Sequence, residues 1–198
     1  YYASRGLGDV YKRQGGGSNL QSIIDKSKSG ELQCKVEVVI GDRECYGVER
    51  AKEAGIDGYT LDRKVLKKEL CREIDKIVSE KEVDLIVLAG FLSIIDEEFV
   101  NKWKGRIINI HPSLLPKFGG PGMYGIRVHE AVLKAGEQES GCTVHYVDTG
   151  VDSGEIIAQK RVKVLEGDTP EILQKRVLVE EHKPVSYTHL RAHETRSN

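Results

Sequence analysis

No C-x-x-C pair occurs in the chain. The four cysteines, Cys34, Cys45, Cys71 and Cys142, are scattered. That argues against a zinc site and against a disulfide framework, and it fits small buried thiols in a reducing compartment. No apolar run is long enough to cross a bilayer: LIVLAGFLSII (85–95) is short and carries a glycine and a serine. Neither sign of charge prevails. Lys plus Arg number 30 against 31 Asp plus Glu, a net charge of −1. No broad field therefore points to nucleic acid or a membrane, although a local basic pocket for a small anion fits. The first residues lack the apolar core of a signal peptide, so a cytoplasmic location is expected. There is no internal repeat, no low-complexity linker, no Walker A sequence, no full dinucleotide fingerprint and no EF-hand spacing.

What remains is 198 residues that are 39% hydrophobic, enough for one α/β domain with a sizeable core. Residues 1–14, YYASRGLGDVYKRQ, and 186–198, SYTHLRAHETRSN, resemble translated adapter or vector sequence. The domain is expected over 15–185. Between the ends, strand and helix patterns alternate. SNLQSIIDKSK (18–28) reads as a helix opened by a capping box of Ser18 and Gln21. VEVVI (36–40) reads as a strand, and 47–54 as a short helix stopping at Gly55. Leu66, Leu70, Ile74 and Ile77 predict one amphipathic helix over 63–80. VDLIVLAG (83–90) has the continuous apolar pattern of a buried parallel strand. A helix over 96–103, a strand over 106–110 and a helix over 128–136 follow. CTVHYVD (142–148) and EIIAQKRVKV (155–164) read as two strands around a Gly- and Asp-rich loop. TPEILQKRVLVEEH (169–182) begins with a Thr cap and a proline in its first turn. The alternation predicts an α/β fold: a doubly wound, mostly parallel sheet with a C-terminal two-strand excursion.

Ligands of such sheets bind beyond the carboxyl ends of the strands. The stretch IINIHPSLLPKF (107–118) places Asn109 and His111 at such an end. Side chains two apart in a strand share a face, and Pro112 biases His111 towards extended backbone. Asn can donate to a developing oxyanion, and His can move protons near neutrality. An ordinary turn with a surface His remains the competing reading. GGGSNL (15–20) before a helix could offer backbone N–H groups to a phosphate, or could be a plain cap and loop. DTGVDSGEI (148–156) sets Asp148 and Asp152 in a loop that could bring a carboxylate to His111, or could be only a turn. GGPGMYG (119–125) has glycines enough for a mobile substrate loop.

Taken together, GSNLQ, AGFLSII, NIHPSLLP and D-x-G-x-D-x-G, in this order and spacing, resemble the phosphoribosylglycinamide formyltransferases over roughly 15–185. The resemblance implies a Rossmann-like formyltransferase fold. It also implies formyl transfer from 10-formyltetrahydrofolate, as cosubstrate and without a metal, to the amine of glycinamide ribonucleotide. On the matching positions it implies a catalytic set of Asn109, His111 and Asp152. Gly17, Ser18, Asn19 and Glu181 match substrate contacts. Arg63, Leu92, Ser93, Ile94, Ile95, Asn109, Asp148, Thr149, Gly150, Val151 and Asp152 match the folate side. The implied partners are small molecules, with no nucleic acid or membrane, and a monomer or homodimer is expected. Two departures stand out. The family opens on an apolar strand where this chain has DVYKRQ, and the sequence changes character after EHKPVSY. The first strand and the C-terminal end of the domain are therefore expected to be missing. Other folate-dependent formyltransferases or hydrolases of the same fold, and a non-catalytic folate- or nucleotide-binding module, remain alternatives.

Overall fold

A helix lies unusually close to two short strands in the first half of the chain, and glycine allows the approach. A Cβ added to Gly58 would stand 3.0 Å from both the carbonyl oxygen and a methyl of Val48. The computed structural model describes residues 17–91 and 95–183. They divide into two compact units between Ile107 and Ile108.

The first unit runs α1 (Ser18–Ser29), β1 (Val38–Gly41), α2 (Tyr46–Glu53), β2 (Asp57–Thr60), α3 (Arg63–Leu66), a 3-10 turn (Lys67–Glu69), α4 (Leu70–Glu80), β3 (Ile86–Ala89) and α5 (Glu97–Lys102). β1 and β2 pair in parallel, Val38 opposite Asp57 through Gly41 opposite Thr60. Every residue of β1 is buried, as an all-apolar strand covered on both faces requires. α1 turns Leu20, Ile23 and Ile24 inward. α4 turns in Leu70, Cys71, Ile74 and Val78, and its Asp75 accepts the Trp103 indole N–H at 2.8 Å.

The second unit contains the rest of β4 (Ile107–His111), then α6 (Ile126–Lys134), β5 (Glu139–Tyr146), β6 (Ile156–Lys163) and α7 (Pro170–Glu181). β4, β5 and β6 are successive antiparallel neighbours. This is the excursion the sequence predicts. Thr169 caps α7 through its side chain, with Pro170 in the first turn, also as predicted. Val132 of α6, Cys142 and Val162 of the sheet, and Leu173 and Val177 of α7 form one core cluster, and Phe118 packs against it.

Two local expectations fail for physical reasons. Ser18 is not a cap: it lies inside α1, and Gly17 at φ 77 takes the cap position without a side-chain bond. Gln21 donates instead to Asp25 and accepts from Arg50. The helix expected over 63–80 is broken at Lys67, where φ is 47. No residue of α3 is buried, so nothing apolar holds its four residues in line with α4. β2, DGYT, carries an Asp-Gly turn signal and is assigned no element from the sequence; pairing with β1 makes it a strand.

Leu173 is fully buried in its cluster. Leu173→Ala should lower stability by about 2–5 kcal/mol through lost transfer energy and an uncollapsed cavity. Urea titration of the two proteins measures this; equal midpoints would mean the cluster does not hold the second unit together.

Candidate active site

The register of β4 on β5 assembles the site. Asn109 lies directly opposite His145, and His111 opposite Thr143. His111 is included in the strand, as the following proline favours. It is 4% exposed. Its Nε2 donates to the Phe118 carbonyl at 2.8 Å, and its Nδ1 faces Asp152 Oδ2 at 3.5 Å. Asp152 comes from the loop between β5 and β6. It sits at φ 55, a strained conformation for a residue with a Cβ, and Oδ2 also accepts the Gly120 N–H at 2.9 Å. The three residues proposed as a set from sequence thus meet in one unit.

His145 completes the group, and the sequence reading missed it. Its Nδ1 lies 2.8 Å from the Tyr146 carbonyl, which can only accept, so Nδ1 carries the proton in the neutral ring. Nε2 is then an acceptor, 3.1 Å from the Asn109 amide nitrogen. The bond fixes which end of the Asn109 amide points there and leaves one further N–H for a ligand oxygen. His145 Nε2 is also 3.7 Å from Asp152 Oδ1. Alternation in CTVHYVD places Thr143 and His145 on one face, a signal that gains meaning only once β5 is paired antiparallel to β4.

Burial lowers the His111 pKa below its ordinary value; the Asp152 charge and the Phe118 carbonyl oppose this, and His145 adds to it. Burial works against the Asp152 carboxylate too, but His145, His111 and the Gly120 N–H together hold its pKa below the usual value. Near neutrality the pair is a neutral imidazole beside a carboxylate. That is a ready proton acceptor whose protonated form has a charge partner in place.

The remaining predicted positions divide as follows. Asp148 Oδ1 is occupied within its own turn, accepting from the Gly150 N–H and the Ser153 hydroxyl. Thr149, Gly150 and Val151 are exposed. Glu181, at the end of α7, is 9% exposed. The Cys142 thiol is pushed up to about 12 by burial first and by the Glu181 charge second. In the first unit, Gly17, Ser18 and Asn19 form the left-handed cap and first turn of α1. Arg63 opens α3; its N–H donates to the Asp42 carbonyl at 3.0 Å, and its guanidinium lies 3.5 Å from the Asp42 carboxylate. Asp42 is fully buried and ion-paired with Arg43 as well, at 3.0 Å, which the sequence did not reveal. Ile95 is half-buried, and Leu92, Ser93 and Ile94 lie outside the described residues.

A family model described as formyl transferase matches residues 12–188. The chain belongs to the formyl transferase family. It is 42% identical over 175 residues to the chloroplastic phosphoribosylglycinamide formyltransferase of Arabidopsis thaliana, covering 85% of this chain and 59% of that protein. It is 41% identical over 172 residues to the trifunctional purine biosynthetic protein adenosine-3 of Bos taurus, covering 85% of this chain and 16% of that protein. The chain therefore spans less than two thirds of either relative. Among solved structures, the phosphoribosylglycinamide formyltransferase of Bacillus halodurans superposes with a TM-score of 0.84 at 34% identity, covering 96% of this chain and 93% of that one. The α/β, Rossmann-like formyltransferase fold expected from the sequence is the fold of this chain.

One further histidine borders the site. His129 of α6 is 1% exposed, and its pKa is pushed down to about 4 by burial first and by the nearby His111 second. A depressed histidine contributes stability that is full above the unfolded value of about 6.5 and is lost as pH falls through the folded value. The loss from pH 6.5 to pH 4 should approach roughly 3 kcal/mol. Urea midpoints across that range should fall steeply in the parent and less steeply in His129→Asn. Parallel pH profiles would place the proton uptake elsewhere.

Proposed function

We propose that the chain transfers a formyl group from 10-formyltetrahydrofolate to the amine of 5′-phosphoribosylglycinamide, a step of de novo purine biosynthesis. The observation that carries this reading is the meeting of Asn109, His111 and Asp152 in a member of the formyl transferase family. The amine attacks the formyl carbon and the carbonyl becomes a tetrahedral oxyanion. Asn109 donates its remaining amide N–H to that oxygen. His111, neutral and buried, accepts the proton that the attacking nitrogen loses, and Asp152 stabilises the imidazolium. The same proton then goes to the leaving folate nitrogen as its bond to carbon breaks. The products are formylglycinamide ribonucleotide and tetrahydrofolate, and no step requires a metal.

Substrate contacts follow the same reading. The N–H groups of Gly17, Ser18 and Asn19, at the start of a helix, suit a phosphate. Glu181 contacts the ribonucleotide. Arg63, Leu92–Ile95 and the 148–152 loop serve the folate. No described helix is long and apolar enough to cross a membrane. A cytoplasmic enzyme of small molecules, acting as monomer or homodimer, is the companion proposal.

The test is release of tetrahydrofolate in the presence and absence of the ribonucleotide. Release that needs the ribonucleotide marks transfer, whereas release without it marks hydrolysis. Asn109→Ala should cost roughly 10²–10³-fold in turnover, and His111→Ala on the order of 10²–10⁴-fold. Asp152→Asn removes the charge that raises the His111 pKa, so the acid limb of the pH–rate profile should move to lower pH. A folded His111→Ala protein that turns over within a few-fold of its parent would defeat the mechanism.

A further inference from the structure

Of the hydrogen bonds that leave the three-residue stretch Phe118–Gly120, two end on the His111–Asp152 pair, one on each member. The Phe118 carbonyl accepts from His111 Nε2 at 2.8 Å, and the Gly120 N–H donates to Asp152 Oδ2 at 2.9 Å. Both ends of the stretch are anchored, the Gly120 end by the Met123 N–H, which donates to the Gly120 carbonyl at 3.1 Å. The Phe118 side chain packs against the core cluster of α6, β5, β6 and α7, and its backbone is held at φ 55. Ser113 ties the preceding turn, its hydroxyl donating to the Lys117 carbonyl at 2.7 Å.

Gly119, between the two bonds, is wedged against Leu115 and Asp152. A Cβ there would stand 2.5 Å from a Leu115 methyl and 3.3 Å from the Asp152 Cβ. Leu115 is itself buried, so it has little room to yield. A glycine is therefore needed here for close approach and not for an unusual backbone angle.

From this arrangement we infer that Phe118–Gly120 is a positioning element: it locks the neutral His111 ring with its proton on Nε2, and it holds Asp152 against the other nitrogen, Nδ1. The inference rests on the proposed formyl transfer only for its kinetic consequence. A carbonyl oxygen has no proton to give, so the nitrogen facing it must carry one. The lone pair is then on Nδ1, and Nδ1 is the nitrogen that takes up and returns the proton during turnover. The new N–H forms beside Asp152, where the positive charge meets its partner, while Nε2–H stays bound to Phe118. No ring flip is needed between the two proton transfers. Phe118 and Gly120 act through His111 and Asp152 and not on substrate.

The charged and titratable groups around His111 are Asp152 on the loop after β5, His145 on β5 and His129 on α6. Of these, only Asp152 is placed by the positioning element. The first measurement is the ¹⁵N shifts of the His111 imidazole in the unaltered chain, which separate the two neutral tautomers and need no substrate. The Nε2-protonated form is expected, and finding Nδ1 protonated would overturn the proposal whether or not any variant folds. The second compares Gly119→Ala with Gly122→Ala, whose position is at φ 84 with nothing near its Cβ, so that loop strain changes without pressure on Asp152. Gly119→Ala should lower the His111 titration midpoint, because both the Asp152 charge and the Phe118 carbonyl favour the imidazolium. It should also lower kcat, on the order of 10²-fold for a displacement of about 1 Å, with KM little changed. Gly122→Ala should leave the midpoint where it is. An unmoved midpoint in Gly119→Ala, or an equal movement in both variants, would sink the positioning role. A correct tautomer and a shifted midpoint in a chain without formyl transfer would instead refute the functional reading and leave the geometry standing.

Discussion

The antiparallel register between β4 and β5 is the constraint on which the site depends. It sets Asn109 against His145 and His111 against Thr143. A slip of one residue would turn each of these side chains to the other face of the sheet. Burial prevents the slip. β5 is covered from Ser140 to His145, and β4 buries Ile107, Ile108, Ile110 and His111. The Thr143 hydroxyl adds a lock: it donates to the Ser113 carbonyl at 2.6 Å and accepts the Leu115 N–H at 3.1 Å. Gln159 of β6 reaches both Thr143 and the Leu115 carbonyl at 2.9 Å. The turn that follows His111 is thus tied to two neighbouring strands, and the turn in turn presents the Phe118 carbonyl.

The same burial sets the electrostatics. An imidazole removed from water resists charging, and a carboxylate does too. Here the carboxylate stays ionised because the Gly120 N–H donates to it and two imidazole rings that can take up positive charge face it. The imidazole has only one charged ally, Asp152, at a distance beyond an ordinary hydrogen bond. The balance leaves His111 neutral at rest and able to hold a proton briefly. A shorter contact would raise its pKa and make it slow to release that proton, and no contact would make the imidazolium costly to form.

The parts of this site that could be read from the sequence were those fixed by local chemistry. Asn109 and His111 announce themselves at an apolar strand that stops at a proline, and Thr169-Pro170 announces α7. The parts that stayed hidden depend on contacts between distant segments. His145 looks like one polar residue in an alternating strand until the β4–β5 register is known. Asp42 looks like a loop residue, yet it is fully buried between two arginines. DGYT carries a turn signal and becomes a strand because β1 offers it a parallel partner. The cap at Ser18 was the opposite error, since a plausible local pattern lost to a glycine one residue earlier that could adopt a positive φ.

Backbone strain locates where the fold does work for the site. Among the described residues of the second unit, the non-glycine residues held at positive φ are Phe118 and Asp152, both at 55. Such conformations cost on the order of 1–3 kcal/mol each and persist only where their surroundings over-determine them. Each has such surroundings. The Phe118 ring is held by the core cluster, and its carbonyl is held by His111. The Asp152 carboxylate is held by Gly120 and faces two histidines. The strained residues are the two partners of His111, one on each ring nitrogen. A relaxed backbone at either position would turn a carbonyl or a carboxylate away from the ring. Core packing around Phe118 therefore offsets a local cost whose return is the fixed protonation geometry of one buried histidine.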